Sequence, residues 1–126
     1  MATPGAAIFN FPQIYGNGIV FIVGSALFGS AGAIASTKGK GFTVTKTGTG
    51  AYTIVTNSSF ASVLAASVDY NMVGGAEGLS AVRLGFTGNN TLTVNTVNTS
   101  GVATNSGVSG NGFDFIIAMS TSTLDS

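Results

Sequence analysis

Residues 41–54 read Gly41-Phe42-Thr43-Val44-Thr45-Lys46-Thr47-Gly48-Thr49-Gly50-Ala51-Tyr52-Thr53-Ile54, and their period decides the fold class. Phe42, Val44 and Lys46 alternate with Thr43, Thr45 and Thr47, the spacing of a strand with one covered face. Thr47-Gly48-Thr49-Gly50 reads as a tight turn, in which glycine supplies positive φ at no steric cost. From Ala51 to Thr56 the alternation resumes, with Tyr52 and Ile54 on one face. The stretch is a β-hairpin.

The same period recurs outward from it. Val82, Leu84 and Phe86 alternate, Thr87-Gly88-Asn89-Asn90 turns the chain, and Leu92 and Val94 share a face beyond the turn. Phe113, Phe115, Ile117 and Met119 alternate with Asp114, Ile116 and Ala118, and the partly apolar second face marks a central strand. Ser67 to Val73, with Tyr70 and Met72, is a weaker strand, and Gly74-Gly75-Ala76-Glu77-Gly78 is a loop. Asn98 to Asn111 reads as a Gly/Ser/Asn-rich connection with at most a short strand around Val102 and Ala103. Phe60 to Ala66 is read as one or two helical turns, through Phe60, Val63 and Leu64, with Ser58 or Ser59 as N-cap. Short strands separated by turn signals, with little helix, indicate an all-β fold: an antiparallel β-sandwich or jelly roll over residues 38–126.

The first third differs. No charge occurs between Met1 and Thr37, and Ile19 to Ala35 is an almost unbroken run of apolar and small residues. A secretory leader wants a basic stretch before its apolar core, and none precedes this one. A membrane-spanning helix needs about 20 apolar residues. Lys38 and Lys40 could flank one, but Gly24, Ser25, Gly29, Ser30, Gly32 and Ser36 dilute the run. The reading preferred is a β-branched strand, Gly18 to Val23, followed by a segment that packs closely against another backbone. Residues 1–37 are therefore expected to be an apolar, Gly-rich assembly arm, ahead of a sandwich that is complete without it. Ile19, Val20, Phe21, Ile22, Val23, Leu27 and Phe28 are the candidate interface. A buried core strand is the plainer alternative.

Composition narrows the function. Hydrophobic residues make up 44% of the chain and charged residues 6%, with no His, Cys or Trp, against about 25% charged in an ordinary soluble domain. Lys38, Lys40, Lys46 and Arg83 balance Asp69, Glu77, Asp114 and Asp125, for a net charge of zero. Chemistry at neutral pH draws mostly on His, Cys, paired carboxylates, a tuned Lys or a metal. No enzyme activity, catalytic residue, cofactor or metal site is expected from this set. Nucleic acid demands a basic patch that four scattered cations do not make. The two Gly-rich stretches, 24–29 and 74–78, lack the lysine of a phosphate-binding loop. Asp114 either faces solvent or pairs with Arg83 or Lys46. Tyr15, Tyr52, Tyr70 and the nine Phe are expected as core and interface anchors.

Two segments carry a resemblance. The hairpin from Gly41 to Ile54 resembles a strand pair that opens small β-sandwich virion proteins of tailed bacteriophages. Gly112-Phe113-Asp114-Phe115-Ile116-Ile117-Ala118-Met119-Ser120 is similar to their final strand. The likeness covers residues 38–122 and not the first third. It implies a structural protein of the virion: a capsid decoration (cement) protein, commonly a homotrimer, whose partners are itself and the major capsid protein. A tail or head-fibre component is the alternative within that class. A pilus-like or surface-layer subunit, polymerising through its uncharged first third, is the alternative outside it. No site residue comes with the resemblance, and no membrane partner is expected.

Overall fold

The computed structural model describes residues 18–57 and 62–120. Eight strands run β1 (Ile19–Phe28), β2 (Ile34–Gly39), β3 (Phe42–Gly48), β4 (Ala51–Thr56), β5 (Ser62–Asn71), β6 (Ser80–Thr87), β7 (Thr91–Val97) and β8 (Gly112–Ser120), with a single 3-10 turn at Ser30–Gly32. They form two antiparallel four-stranded sheets, ordered β2-β1-β8-β5 (sheet A) and β3-β4-β7-β6 (sheet B). The antiparallel sandwich expected from the alternation is the observed architecture.

Its core is where the inward faces meet. From sheet A, β8 contributes Phe113, Phe115, Ile117 and Met119, all buried, as its period required. From sheet B come Val44, Tyr52, Ile54, Leu92 and Val94. Phe28 of β1 stacks on Tyr52 with ring centroids 5.2 Å apart, and Phe113 lies 5.5 Å from Tyr52. Phe42 of β3 meets Phe115 edge-on at 4.8 Å, the T-shaped arrangement that aromatic quadrupoles favour. Its ring fills the space where a Gly24 Cβ would lie. β8 is held on both sides, by β1 from Ile19↔Ser120 to Leu27↔Gly112 and by β5 from Ser62↔Ser120 to Asn71↔Gly112. At Gly112 a Cβ would collide with the Ala26 carbonyl oxygen, so glycine permits this close pairing.

Three expectations are corrected. The first concerns the arm. Residues 1–17 lie outside the described residues. From Gly18 onward the segment is sheet A itself, because β1 sits between β2 and β8 and buries Ile22, Ala26 and Phe28. The boundary at 37/38 falls inside β2, and a sandwich without β1 would expose one flank of β8. β1 and β2 join through a tight turn with Ala31 at φ 56° and Gly32 at φ 75°. Two successive left-handed residues are the turn geometry that matches strand twist in hairpins.

Second, the expected helical turns are absent from Ser62–Ala66, which belong to β5; Ser58, Ser59 and Phe60 lie outside the described residues. Third, Val82 and Leu84 do not share a face with Phe86. A register shift between Arg83 and Gly85 makes Leu84 an extra residue, so Ala81 and Phe86 pack on the core while Val82 and Leu84 are exposed. A bulge of this kind flips the faces beyond it.

Two outcomes follow. Phe115→Ala should lower the unfolding free energy by about 3–5 kcal/mol, the range for deleting a buried aromatic ring, measured by denaturant titration. A chain starting at Ser36 should fail to give a cooperative unfolding transition, since it lacks β1 and the β1–β2 turn.

Candidate functional site

The densest polar constellation lies where the β5–β6 loop meets the β7–β8 connection. Glu77 Oε1 accepts hydrogen bonds from the Tyr70 hydroxyl (2.6 Å), the Ser106 hydroxyl (2.8 Å) and Asn111 Nδ2 (2.9 Å). Glu77 Oε2 accepts from the Gly107 amide at 2.7 Å. Asn111, fully buried, takes the Gly74 and Gly75 amides on its Oδ1 at 2.8 and 3.0 Å and donates its Nδ2 to the Gly75 carbonyl at 2.8 Å. Gly74 approaches so closely that a Cβ there would meet the Ser109 carbonyl oxygen. Ser, Tyr, Glu and Asn together could suggest chemistry. The geometry says otherwise: both carboxylate oxygens are occupied by donors from the protein's own loops, and the group is a tie between them.

The electrostatics agree. Burial raises the Glu77 pKa, but hydrogen bonds from Tyr70, Asn111, Gly107 and Ser106 outweigh it and hold the carboxyl below its ordinary value. A carboxylate held ionised in this way is a weak base. Burial, and then the bond to Glu77, pushes the Tyr70 hydroxyl up to about 12. Burial, with a smaller contribution from Tyr70, does the same to Tyr52, also to about 12.

The outer faces of the sheets remain. The seven candidate interface residues of β1 divide by parity. Ile22 and Phe28 are core and Val20 packs against it, while Phe21 and Val23 point outward and are 53% and 55% exposed. Ile19 and Leu27 share the outward parity and are half-buried. Across from Phe21 and Val23 lie Ala118 and Ile116 of β8, then Ala65 and Ser67 of β5. Ile116 and Leu64 are exposed as well. The result is a continuous apolar stripe with a hollow of about 180 Å³ lined by Phe21, Ala65, Ile116 and Ala118. Further along the strands the same face turns polar. Lys38, Ser25, Asp114 and Asp69 form one row across β2, β1, β8 and β5, around a shallow trough of about 500 Å³.

Asp114 accepts from Asn71 Nδ2 at 3.3 and 3.4 Å. Neither Arg83 nor Lys46 faces it, since both stand on sheet B. Lys46 instead donates to the Gly48 carbonyl at 2.6 Å, with its ammonium 5.8 Å from the Tyr52 ring centroid. The outer face of sheet B is different again and rich in threonine: Thr45, Thr53 and Thr93 stand in register in one row, and Thr43, Thr91 and Thr87 stand with Val55 in the next. Tyr15 lies outside the described residues.

Comparison with protein-family models, with curated proteins and with solved structures finds no match. Among the described residues no three acidic, His or Cys side chains gather as a metal site, and no helix is long and apolar enough to cross a membrane.

Sequence reasoning missed the Glu77 tie because its partners arrive from as far as 34 positions away. The one available signal was a lone carboxylate between glycines in a chain with almost no charge.

The tie has a pH signature. Because the Glu77 pKa is lowered in the folded state, its stabilisation is complete above about pH 4.5, its ordinary value, and is lost as pH falls through the folded value. The two raised tyrosines act in the opposite direction: their contribution is complete below about pH 10 and is lost as pH rises toward 12. Unfolding free energy measured against pH should therefore fall at both ends. Glu77→Gln, which leaves the Gly107 amide facing an NH₂ group, should cost about 1–3 kcal/mol at neutral pH and flatten the acid limb. Near-ultraviolet absorbance should show Tyr52 and Tyr70 ionising only as the fold opens.

Proposed function

We propose that this protein is a structural subunit of a virus particle, and specifically a capsid decoration (cement) protein of a tailed bacteriophage. The observation that supports this best is the character of its two outer faces. One carries the apolar stripe around Phe21, Val23 and Ile116, and the other carries the threonine-rich rows; they stand on opposite sides of one sandwich. A subunit with a contact face on each side can bridge two neighbours. Tyr52, between the sheets, has its hydroxyl satisfied internally by the Gly32 carbonyl, and the loops at one pole are tied to each other through Glu77. The likeness of the β3–β4 hairpin and of β8 to small phage virion proteins gives the reading its family context.

The work would be mechanical. Each copy adds buried contacts across a joint of the shell, and rupture must break them. Many weak contacts on a symmetric lattice act together, so the single contact need not be strong. With eight charged residues in the chain, attachment should change little between low and moderate salt.

Copy number on purified particles tests the reading. Quantitative mass spectrometry should find on the order of hundreds of copies per particle, as a closed symmetric shell requires, and shells stripped of the protein should lose resistance to heat and regain it on re-addition. A dozen copies or fewer would place the protein at a connector or fibre instead, and absence from particles would end the proposal.

A further inference from the structure

We propose that the outer face of sheet A is a two-fold self-association surface. It closes face to face on a second copy of this chain about an axis running along the strands, midway between β1 and β8. The polar row shows why. Lys38, Ser25, Asp114 and Asp69 stand side by side on successive strands, about 4.8 Å apart per strand. Lys38 and Asp69 are therefore about 14 Å apart within one copy, too far to pair, and equidistant from the β1–β8 midline. A half-turn about that midline carries Lys38 of one copy opposite Asp69 of the other, and Ser25 opposite Asp114. Every charge on the face then meets a complementary or neutral group.

The same rotation fits the apolar end. Phe21 on β1 and Ala118 on β8 are register partners across the midline, so the half-turn places the Phe21 ring over Ala118 and Ala65 of the second copy. There the hollow of about 180 Å³ lies. Val23 falls opposite Ile116 in the same way. A bulky residue on one side of the axis and a hollow lined by alanines on the other is a self-complementary surface, as a two-fold interface demands. Two such sheets pack with their strands within about 30° of each other.

A single copy also leaves a cost that a second would relieve. Asp69 and Asp114 are directly opposed on neighbouring strands, and like charges in that position destabilise a sheet. Lys38 of the second copy brings the missing counter-charge. An unrelated partner would have no reason to match a row that is complementary to itself, and a lipid surface would meet the paired carboxylates unfavourably. The resemblance to phage proteins implied a three-fold assembly, whereas this face is built for a two-fold one. The inference concerns self-association and stands whether or not the protein belongs to a virion.

Sedimentation velocity of the full chain over a range of concentrations tests it. A dimer that dissociates on dilution is expected. Phe21→Asp, at an exposed position, should give a monomer with unchanged circular dichroism and the unfolding midpoint that the unaltered chain shows once diluted to monomer. Lys38→Asp and Asp69→Lys should each weaken the dimer by more than about tenfold, because like charges then face each other. The two substitutions combined in one chain should restore it. A full chain that stays monomeric, a trimer, a dimer indifferent to Phe21→Asp, or a charge swap no better than its single variants would each overturn the proposal.

Discussion

The Tyr52 hydroxyl, buried between the sheets, donates to the Gly32 carbonyl at 2.6 Å, and much of the architecture depends on that bond and the rings around it. Tyr52 belongs to sheet B and Gly32 to the turn between two strands of sheet A, so one contact fixes the position of one layer over the other. A buried hydroxyl left without its acceptor would cost about 1–3 kcal/mol. Phe28 and Phe113 pack on the same ring and supply the apolar share of the contact. With the β1–β2 turn pinned, β1 lies against β8 along its full length, and the outer face of sheet A acquires its register.

How much of this could be read in advance depended on whether a strand keeps its period. The β3–β4 hairpin and β8 were legible because alternation runs through them and their turns carry glycine where φ must be positive. β5 was legible only in its second half, from Ser67, since the shift between Val63 and Ala65 breaks the period before it and leaves a helix-like spacing at Phe60, Val63 and Leu64. β6 was legible as a strand but not in its faces, because the alternation of Val82, Leu84 and Phe86 gives no sign of the bulge at Leu84. β1 was recognised as β-branched and wrongly placed outside the sandwich. Its uncharged composition suits a central strand and an assembly arm equally well, and only pairing partners decide between them. Among the candidate interface residues, Phe21 and Val23 reach the surface and Ile22 and Phe28 do not, a division that follows from the two-residue period once the strand is placed.

The interior and the exterior of this protein solve different problems with the same small alphabet. Inside, few polar groups are admitted, and Asn111 among them is held by three backbone groups and by Glu77, a half-buried carboxylate at the edge that itself takes four donors. Outside, the absence of charge removes the usual barrier to contact. A surface of threonine and aliphatic side chains has little hydration to give up when it is covered, and no field to direct what covers it. Selectivity must then come from shape and from the few charges that remain. This is why the single row from Lys38 to Asp69 weighs more here than it would on an ordinary surface.

The register of β1 has a topological consequence. Ile19 pairs with Ser120, so the chain enters and leaves the sandwich on adjacent strands at one pole, while the connections tied by Glu77, Asn111 and Tyr52 gather at the other. The order of strands along the chain is then nearly a closed circuit. A short link from Ser120 to Gly18, with a new opening cut in an exposed bend such as Ser100-Gly101, would preserve every strand pairing and every buried bond described above. Circular permutation is tolerated where ends are close and the new break falls on the surface. A guest sequence carried in that link would sit at the pole opposite the loop ties.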